Sequence, residues 1–251
     1  MTKSNSTLLF VTLIFLSLLL ACNQAETTTK VETPAQPTPA ATQAETKPVK
    51  PATDISGSYS ITGSNENGAG EYNGDLNITK REEVYQFSWA SGGRTYDGVG
   101  VQTDDTVAVS FTEGADGKGC GVVLYKIATN GDLDGKAGYW GVNSSETEKA
   151  KRDTGTDLEG RYEVSGTNTD GKPYKSSLNV KKNGDGYSFV WSGGTQPVNG
   201  FGIRMGELAA IGLGQASCGF VMYEVKPDGT LEGKWGGQSS TSFGTETAKK
   251  K

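Results

Sequence analysis

The sequence contains no histidine. Histidine is the most common general base at neutral pH and the most common metal ligand, so its absence excludes Ser-His-Asp and Cys-His catalytic sites. Cysteine is scarce as well: the three are Cys22, Cys120 and Cys218, and none lies in a Cys-x-x-Cys motif. A redox-active pair of that kind is therefore excluded. From these absences we expect a protein that is not an enzyme and that uses no cofactor and no metal.

The sequence also lacks a basic stripe. The formal net charge is −5, with 24 Lys and Arg residues distributed among 29 Asp and Glu residues. The one basic run is Lys249-Lys250-Lys251, at the C-terminal end of the given sequence, where a solvated tail is the simplest interpretation. This charge pattern argues against nucleic acid as a partner.

One long apolar run is present, at residues 8–20, and it follows Lys3 near the N-terminus. The run is shorter than a typical transmembrane helix, which favours the apolar region of a signal peptide. Its last residues, Leu19-Leu20-Ala21-Cys22, resemble the bacterial lipobox. This resemblance implies that residues 1–22 form a lipoprotein signal peptide ending at a lipidated Cys22, and that acyl chains anchor the exported protein in the cell envelope. Asn23 stands where an inner-membrane retention signal would have Asp, which favours the outer membrane.

Residues 23–53 consist mainly of Thr, Ala, Pro, Glu, Lys and Gln, with few large apolar side chains. Such a segment cannot bury enough surface to offset its conformational entropy. The composition predicts a disordered tether between the anchor and the folded part.

The rest of the chain is an internal repeat of about a hundred residues. The segment that begins Gly57-Ser58-Tyr59 returns as Gly160-Arg161-Tyr162, and Cys120-Gly121-Val122-Val123 returns as Cys218-Gly219-Phe220-Val221. The repeats cover residues 54–152 and 157–251. Each is long enough for a core of its own, so we expect two tandem domains.

Apolar residues alternate with polar ones along most of both repeats, as in Tyr85, Phe87 and Trp89. This period of two predicts strands with one buried face, and no window has a helical stripe. Turn-forming pairs separate the strands, at Asn67-Gly68, Asn130-Gly131, Asp170-Gly171, Asn183-Gly184 and Asp228-Gly229. The pattern predicts an all-β fold of two antiparallel meanders, each closing into a small up-and-down β-barrel, with a β-sandwich as the alternative.

The opening Gly-x-Tyr and the late Gly229-Thr230-Leu231-Glu232-Gly233-Lys234-Trp235 resemble calycin barrels such as avidins and lipocalins. The resemblance implies a barrel fold. The paired domains also look like those of bacterial lipoproteins with two copies of one all-β domain. That likeness brings no functional residues with it.

The strand with the cysteine is apolar on both faces. Val123 and Tyr125 are expected to point into the barrel, yet Val122 and Leu124 on the other face are apolar too, and the second repeat shows the same pattern. An apolar outer face needs a cover, and the other repeat is the simplest one. Such packing brings Cys120 near Cys218. They form either an interdomain disulfide or two buried thiols.

Aromatic residues recur at equivalent positions in the two repeats. They are candidates to line a ligand cavity, or else they fill the barrel interiors. Trp235 is matched by Ala137 in the first repeat, so the two cavities need not be alike. The candidates are Tyr59, Tyr85, Phe87, Trp89, Tyr125, Tyr162, Tyr187, Phe189, Trp191 and Tyr223.

Acidic residues recur as well. Glu148 and Glu246 each follow a threonine, and their context favours a solvated strand edge. The segment 130–135 has the spacing that opens a calcium loop, but no glutamate closes it, so we interpret it as a hairpin turn.

The pattern as a whole predicts a non-catalytic, lipid-anchored envelope protein that binds or scaffolds a protein or polysaccharide. Two alternatives remain. One is a carrier of a small apolar ligand in each barrel, and the other is an inhibitor of a secreted enzyme that acts through the loop at residues 112–118.

Overall fold

A computed structural model describes residues 52–114, 116–214 and 217–251. The lipidation site predicted at Cys22 and nearly all of the predicted tether lie outside these residues. Among the described residues, no helix has the length and apolarity needed to cross a membrane.

The described chain is built from sixteen antiparallel strands and a single 3-10 turn at Glu66–Gly68. The first eight strands are β1 Gly57–Ser64, β2 Glu71–Arg81, β3 Val84–Ser91, β4 Arg94–Thr103, β5 Thr106–Glu113, β6 Cys120–Ile127, β7 Leu133–Tyr139 and β8 Glu146–Thr156. The second eight are β9 Glu159–Thr167, β10 Pro173–Asn183, β11 Gly186–Ser192, β12 Val198–Met205, β13 Leu208–Gly214, β14 Gly219–Val225, β15 Leu231–Gly236 and β16 Gly244–Lys250.

Four of the five predicted turn pairs lie between consecutive strands, and the fifth, Asn183-Gly184, begins at the last residue of β10. At two equivalent hairpins, β6–β7 and β14–β15, Gly131 and Gly229 have φ angles of +85° and +83°. Each donates its N–H to the carbonyl three residues earlier, on Ala128 and Lys226. Glycine reaches this left-handed region at little cost, which is why Asn-Gly and Asp-Gly mark the turns.

The strands close into two eight-stranded antiparallel barrels, which confirms the predicted barrel fold over the sandwich. The first barrel has the order β1-β16-β15-β14-β5-β4-β3-β2, and the second has the order β10-β11-β12-β13-β6-β7-β8-β9. Each barrel therefore takes five strands from one repeat and three from the other.

The expectation that each repeat forms a barrel of its own is wrong. β5 pairs with β14, with Val109 opposite Val221, and β13 pairs with β6, with Ile211 opposite Val123. The physical reason is that β6 and β14 are near copies with the same inward and outward pattern, so either can complete either barrel. The last three strands of the two repeats are exchanged.

Inward-facing side chains form a separate core in each barrel. One end of each core is plugged by a buried apolar residue. In the first barrel this residue is Ile55, just before β1, and in the second it is Leu158, just before β9. Tyr59 donates its hydroxyl to the Ile55 carbonyl at 2.7 Å, and Tyr162 donates to the Leu158 carbonyl at 2.9 Å. These bonds fix the plug against the barrel wall.

The apolar outer faces of the two barrels pack against each other in a third cluster, the interface cluster. The cluster contains both members of equivalent pairs, Val122 and Phe220 in one pair and Leu124 and Met222 in another, which gives the interface its pseudo-two-fold character. Cys120 and Cys218 form a disulfide with a Cα–Cα distance of 5.7 Å. Cys120 is the first residue of β6 and Cys218 immediately precedes β14, so the disulfide joins the two exchanged segments where each enters its new barrel.

Candidate functional site

The feature that sets the two barrels apart from simple filled barrels is a buried glutamate in each. Glu246 on β16 is 6% exposed and Glu148 on β8 is 5% exposed. The expected solvated position for these residues is therefore wrong. Both side chains share the inner face of their strand with a buried alanine two residues on, Ala248 and Ala150.

Glu246 is held by three donors from three different strands. Trp89 on β3 donates its indole N–H to Oε1 at 3.0 Å, and Tyr72 on β2 donates its hydroxyl to Oε2 at 2.9 Å. Tyr223 on β14 donates to Oε1 as well. Because β14 and β16 come from the second repeat and β2 and β3 from the first, this arrangement exists only in the exchanged barrel.

Glu148 has the equivalent arrangement in the second barrel. Trp191 donates to its Oε1 at 3.0 Å, Tyr174 donates to its Oε2 at 2.7 Å, and Tyr125 also donates to Oε1. A buried glutamate with two tyrosine donors and one tryptophan donor is therefore common to both barrels.

The electrostatics of the Glu246 site are set by burial. Loss of hydration raises the pKa of Glu246, while the hydrogen bonds from Tyr223, Trp89 and Tyr72 oppose the rise. Burial together with the charge of Glu246 raises the pKa of Tyr223 and of Tyr72 above the ordinary tyrosine range. The phenols therefore stay protonated as donors, and a carboxylate with about four acceptor positions keeps one to spare.

Glycines make room for the tyrosines of both sites. Each tyrosine lies across the neighbouring strand, directly opposite a glycine on which a β-carbon would overlap the ring. The pairs are Gly63 with Tyr72, Gly166 with Tyr174, Gly135 with Tyr125, and Gly233 with Tyr223. Because these glycines have no side chain, each tyrosine ring has room to lie over the neighbouring strand and place its hydroxyl at the carboxylate.

Substituting Gly166→Ala should destabilise the protein by about 2 to 3 kcal/mol, because the new methyl group displaces the Tyr174 ring and weakens its bond to Glu148. The measurement is the free energy of unfolding from a urea titration. The matched control is Gly194→Ala, where the nearest atom to a β-carbon is the Gln196 carbonyl oxygen at 3.8 Å. The control should shift stability by less than about 0.5 kcal/mol; equal effects at the two glycines would show that Tyr174 needs no such space.

Glu246 lies in a cavity of about 380 Å³ in the first barrel. Six of its thirteen lining residues are aromatic, and both repeats contribute to the wall. The principal lining residues are Tyr72, Trp89, Tyr96, Phe111, Trp235 and Glu246. Ser91, the last residue of β3, and Gly92, which follows it, also line this cavity. The cavity therefore occupies the half of the barrel opposite the Ile55 plug.

The second barrel has a cavity of about 350 Å³ at the equivalent end. It is lined by Glu146 as well as Glu148, and Ala137 takes the place of Trp235, so the two cavities differ as the sequence predicted. Burial raises the pKa of Glu146, and the neighbouring Glu148 adds to the rise, while hydrogen bonds from Thr169 and Tyr139 oppose it. The wall of the second cavity therefore has two carboxyl side chains together with Lys175, and fewer aromatic rings than the wall of the first.

The structure divides the ten aromatic candidates into two groups. Trp89 and Tyr223 line the first cavity, Trp191 lines the second, and Tyr125 reaches Glu148. The other six pack in the plugged half of each core: Tyr59, Tyr85, Phe87, Tyr162, Tyr187 and Phe189. The ten aromatic candidates thus divide between the cavity end and the filled end of the barrels.

Sequence reasoning missed the two buried glutamates, although a signal was present. The alternation Glu148/Ala150 and Glu246/Ala248 places each glutamate on the inner face of its strand, in phase with a small buried residue. Segment 130–135 does form the predicted turn, in which the Asp132 carboxylate accepts the Arg152 backbone N–H at 2.9 Å. Within the described ranges, no group of three or more acidic, Cys or His side chains is placed to hold a metal ion.

Comparisons with known proteins identify no relative: no protein-family model, no curated protein and no solved structure matches the chain. Function is therefore inferred from the two cavities and the groups that line them.

Proposed function

We propose that this is a non-catalytic binding protein whose two barrels each take up one small organic molecule at the end opposite the plug. The observation that carries the proposal is the aromatic-lined cavity of about 380 Å³ in the first barrel, with Glu246 in its wall. Ligand sites typically measure about 300–1,000 Å³ and combine mostly apolar walls with a few placed polar groups. The first cavity has this size and this composition.

Two further observations favour a carrier over a scaffold. The apolar outer faces of the barrels are buried against each other in the interface cluster, so they are not available to a protein partner. Among the described residues, Val198 is the one large hydrophobic side chain that is strongly exposed. Ligand uptake is thus better supported than binding of a protein or polysaccharide through an apolar surface.

The ligand is not simply apolar, in contrast to the carrier hypothesis drawn from the sequence. Burying a carboxylate is costly unless it is hydrogen-bonded and paired with an opposite charge. The hydrogen-bond donors to Glu246 in the first cavity and to Glu148 in the second are all neutral side chains. Placed in a lipid-anchored protein, as the lipobox implies for Cys22, two such sites would hold a small molecule at the envelope. Two linked sites also raise the local concentration of a weakly bound ligand.

Binding of the neutral fluorescent probe N-phenylnaphthylamine to the purified full chain tests the proposal. We expect saturable binding with at most one probe per barrel and a change in tryptophan emission, because Trp89 and Trp235 line the first cavity and Trp191 lines the second. At a free probe concentration of a hundred times Kd, the folded state should gain about 2.7 kcal/mol.

A pair of matched variants assigns that binding to the cavities. Ala137→Trp should reduce the space in the second cavity and lower probe binding there, whereas Trp235→Ala should enlarge the first cavity and alter binding there alone. Binding that is insensitive to both substitutions, or no binding at all, would contradict the proposed function.

A further inference from the structure

We infer that the first cavity selects an organic cation, an ammonium group that meets the Glu246 carboxylate and is surrounded by aromatic rings. This inference rests on the proposed function and adds the chemical class of the ligand. It concerns the first cavity because the observations that point to charge are most complete there.

The Glu246 carboxylate has no positively charged side chain beside it among the described residues. The three groups that contact the Glu246 carboxylate are the neutral donors Tyr72, Trp89 and Tyr223. In the described part of the chain, no ion pair includes Glu246. An ionised Glu246 therefore gives the cavity a negative potential that the protein itself leaves without a counter-ion, and an anionic ligand would be repelled.

The one basic side chain that lines the first cavity is paired elsewhere. Arg94 at the start of β4 lines the cavity, but its guanidinium pairs with Glu113 at 3.0 Å and its side chain is 63% exposed. Arg94 is thus already neutralised at the rim and oriented to solvent. Burial raises the pKa of the Tyr72 and Tyr223 phenols on the cavity wall, so neither carries a charge at neutral pH.

The aromatic side chains of the cavity wall form a chain of ring contacts. Trp89 and Phe111 have centroids 5.6 Å apart, and Phe111 meets Tyr96 at 6.1 Å and Trp235 at 6.5 Å in edge-to-face contacts. Trp235 in turn meets Tyr72 edge to face at 6.2 Å. A cation close to the faces of several such rings is attracted by their quadrupoles, most strongly by Trp, and the attraction grows when water is excluded.

A carboxylate and an aromatic wall in one cavity favour the same ligand. Aromatic walls alone would suit any apolar molecule, and a carboxylate alone would suit any hydrogen-bond donor. An alkylated ammonium uses both, since its charge faces Glu246 while its carbon groups contact the rings. A primary or quaternary ammonium on an organic body is the ligand class that follows.

The test compares two probes of the same shape, phenyltrimethylammonium and its neutral isostere tert-butylbenzene. The full chain carries Trp140→Phe and Trp191→Phe, so that the remaining fluorescence comes from Trp89 and Trp235 in the first cavity. We expect the cation to bind at least about tenfold more tightly than the isostere, and Glu246→Gln to remove this preference so that the two probes bind with similar affinities. Glu148→Gln, in the second barrel, is the matched control and should change neither affinity at the first cavity, which is the site that Trp89 and Trp235 report.

Acidification gives a readout that needs no substitution in the site. Cation binding requires ionised Glu246, and burial raises the pKa of Glu246 above the ordinary glutamate value of 4.5. As the pH falls through this raised value, cation affinity should decline towards about tenfold per pH unit, while affinity for tert-butylbenzene stays constant.

The outcomes separate this inference from the proposed function. If N-phenylnaphthylamine and tert-butylbenzene bind but the cation has no advantage, the cavity takes a neutral ligand and the charge inference is overturned. A cation preference that survives both Glu246→Gln and acidification would also overturn it. If none of the probes binds, the proposed function fails together with the inference.

Discussion

Replacing Cys120 and Cys218 together by Ala should lower the free energy of unfolding by about 4 kcal/mol, one of the two largest effects we expect from side-chain changes. The disulfide closes a loop with a sequence separation of 98. Cross-linking residues that far apart removes much of the conformational freedom of the unfolded chain. Here it also ties together the segments that enter the opposite barrels, Cys120 at the start of β6 and Cys218 just before β14.

Urea unfolding of the protein with and without dithiothreitol measures this effect. The reductant should lower the midpoint of the parent protein to that of the double variant and leave the double variant unchanged. A parent protein whose midpoint does not respond to reduction, with thiols shown to be free by alkylation, would contradict the role assigned to the disulfide.

Phe220→Ala should cost about 3 to 5 kcal/mol, because it leaves a void between the barrels. Phe220 is 1% exposed in the interface cluster, and its ring centroid lies 5.9 Å from that of Phe201 and 5.6 Å from that of Phe243. The side chain points away from both barrel cores, so its loss weakens the contact between barrels rather than either interior.

Phe220→Leu is the matched variant, since it keeps most of the apolar volume and should cost less than about 1.5 kcal/mol. Both variants are measured by urea unfolding. If Phe220→Ala were no worse than Phe220→Leu, the packing between the barrels would contribute little, and the two barrels would behave as independent units.

The sequence was sufficient for the class of fold because its signals are local. Alternation such as Tyr85, Phe87 and Trp89 predicts which face of a strand is buried, and pairs such as Asn130-Gly131 predict where the chain turns. The apolar outer face at Val122 and Leu124 even predicted that the repeats pack together. These properties depend on neighbours a few residues apart.

The strand exchange could not be predicted, because β6 and β14 present nearly the same residues to a partner strand. Tyr125 and Tyr223 occupy equivalent positions, and each contacts an equivalent glutamate. The local pattern is satisfied whether β5 pairs with β6 or with β14, so the choice depends on the assembled molecule and not on either strand.

The candidate site was only partly predictable for a related reason. Whether an aromatic residue fills a barrel or lines a cavity depends on its distance from the plug, as the contrast between Phe87 and Trp89 two residues apart shows. The role of Glu246 depends on Tyr72, Trp89 and Tyr223, which come from three other strands. No window of sequence brings these four residues together.

The most direct test of the account is a crystal structure of the protein grown with phenyltrimethylammonium, at a resolution that shows side chains. We predict the trimethylammonium group in the first cavity beside the Glu246 carboxylate, within about 6 Å of the Trp89 or Trp235 ring centroid. A first barrel whose interior is filled by its own side chains, or a Glu246 paired with a lysine or arginine while the cation lies elsewhere, would contradict it.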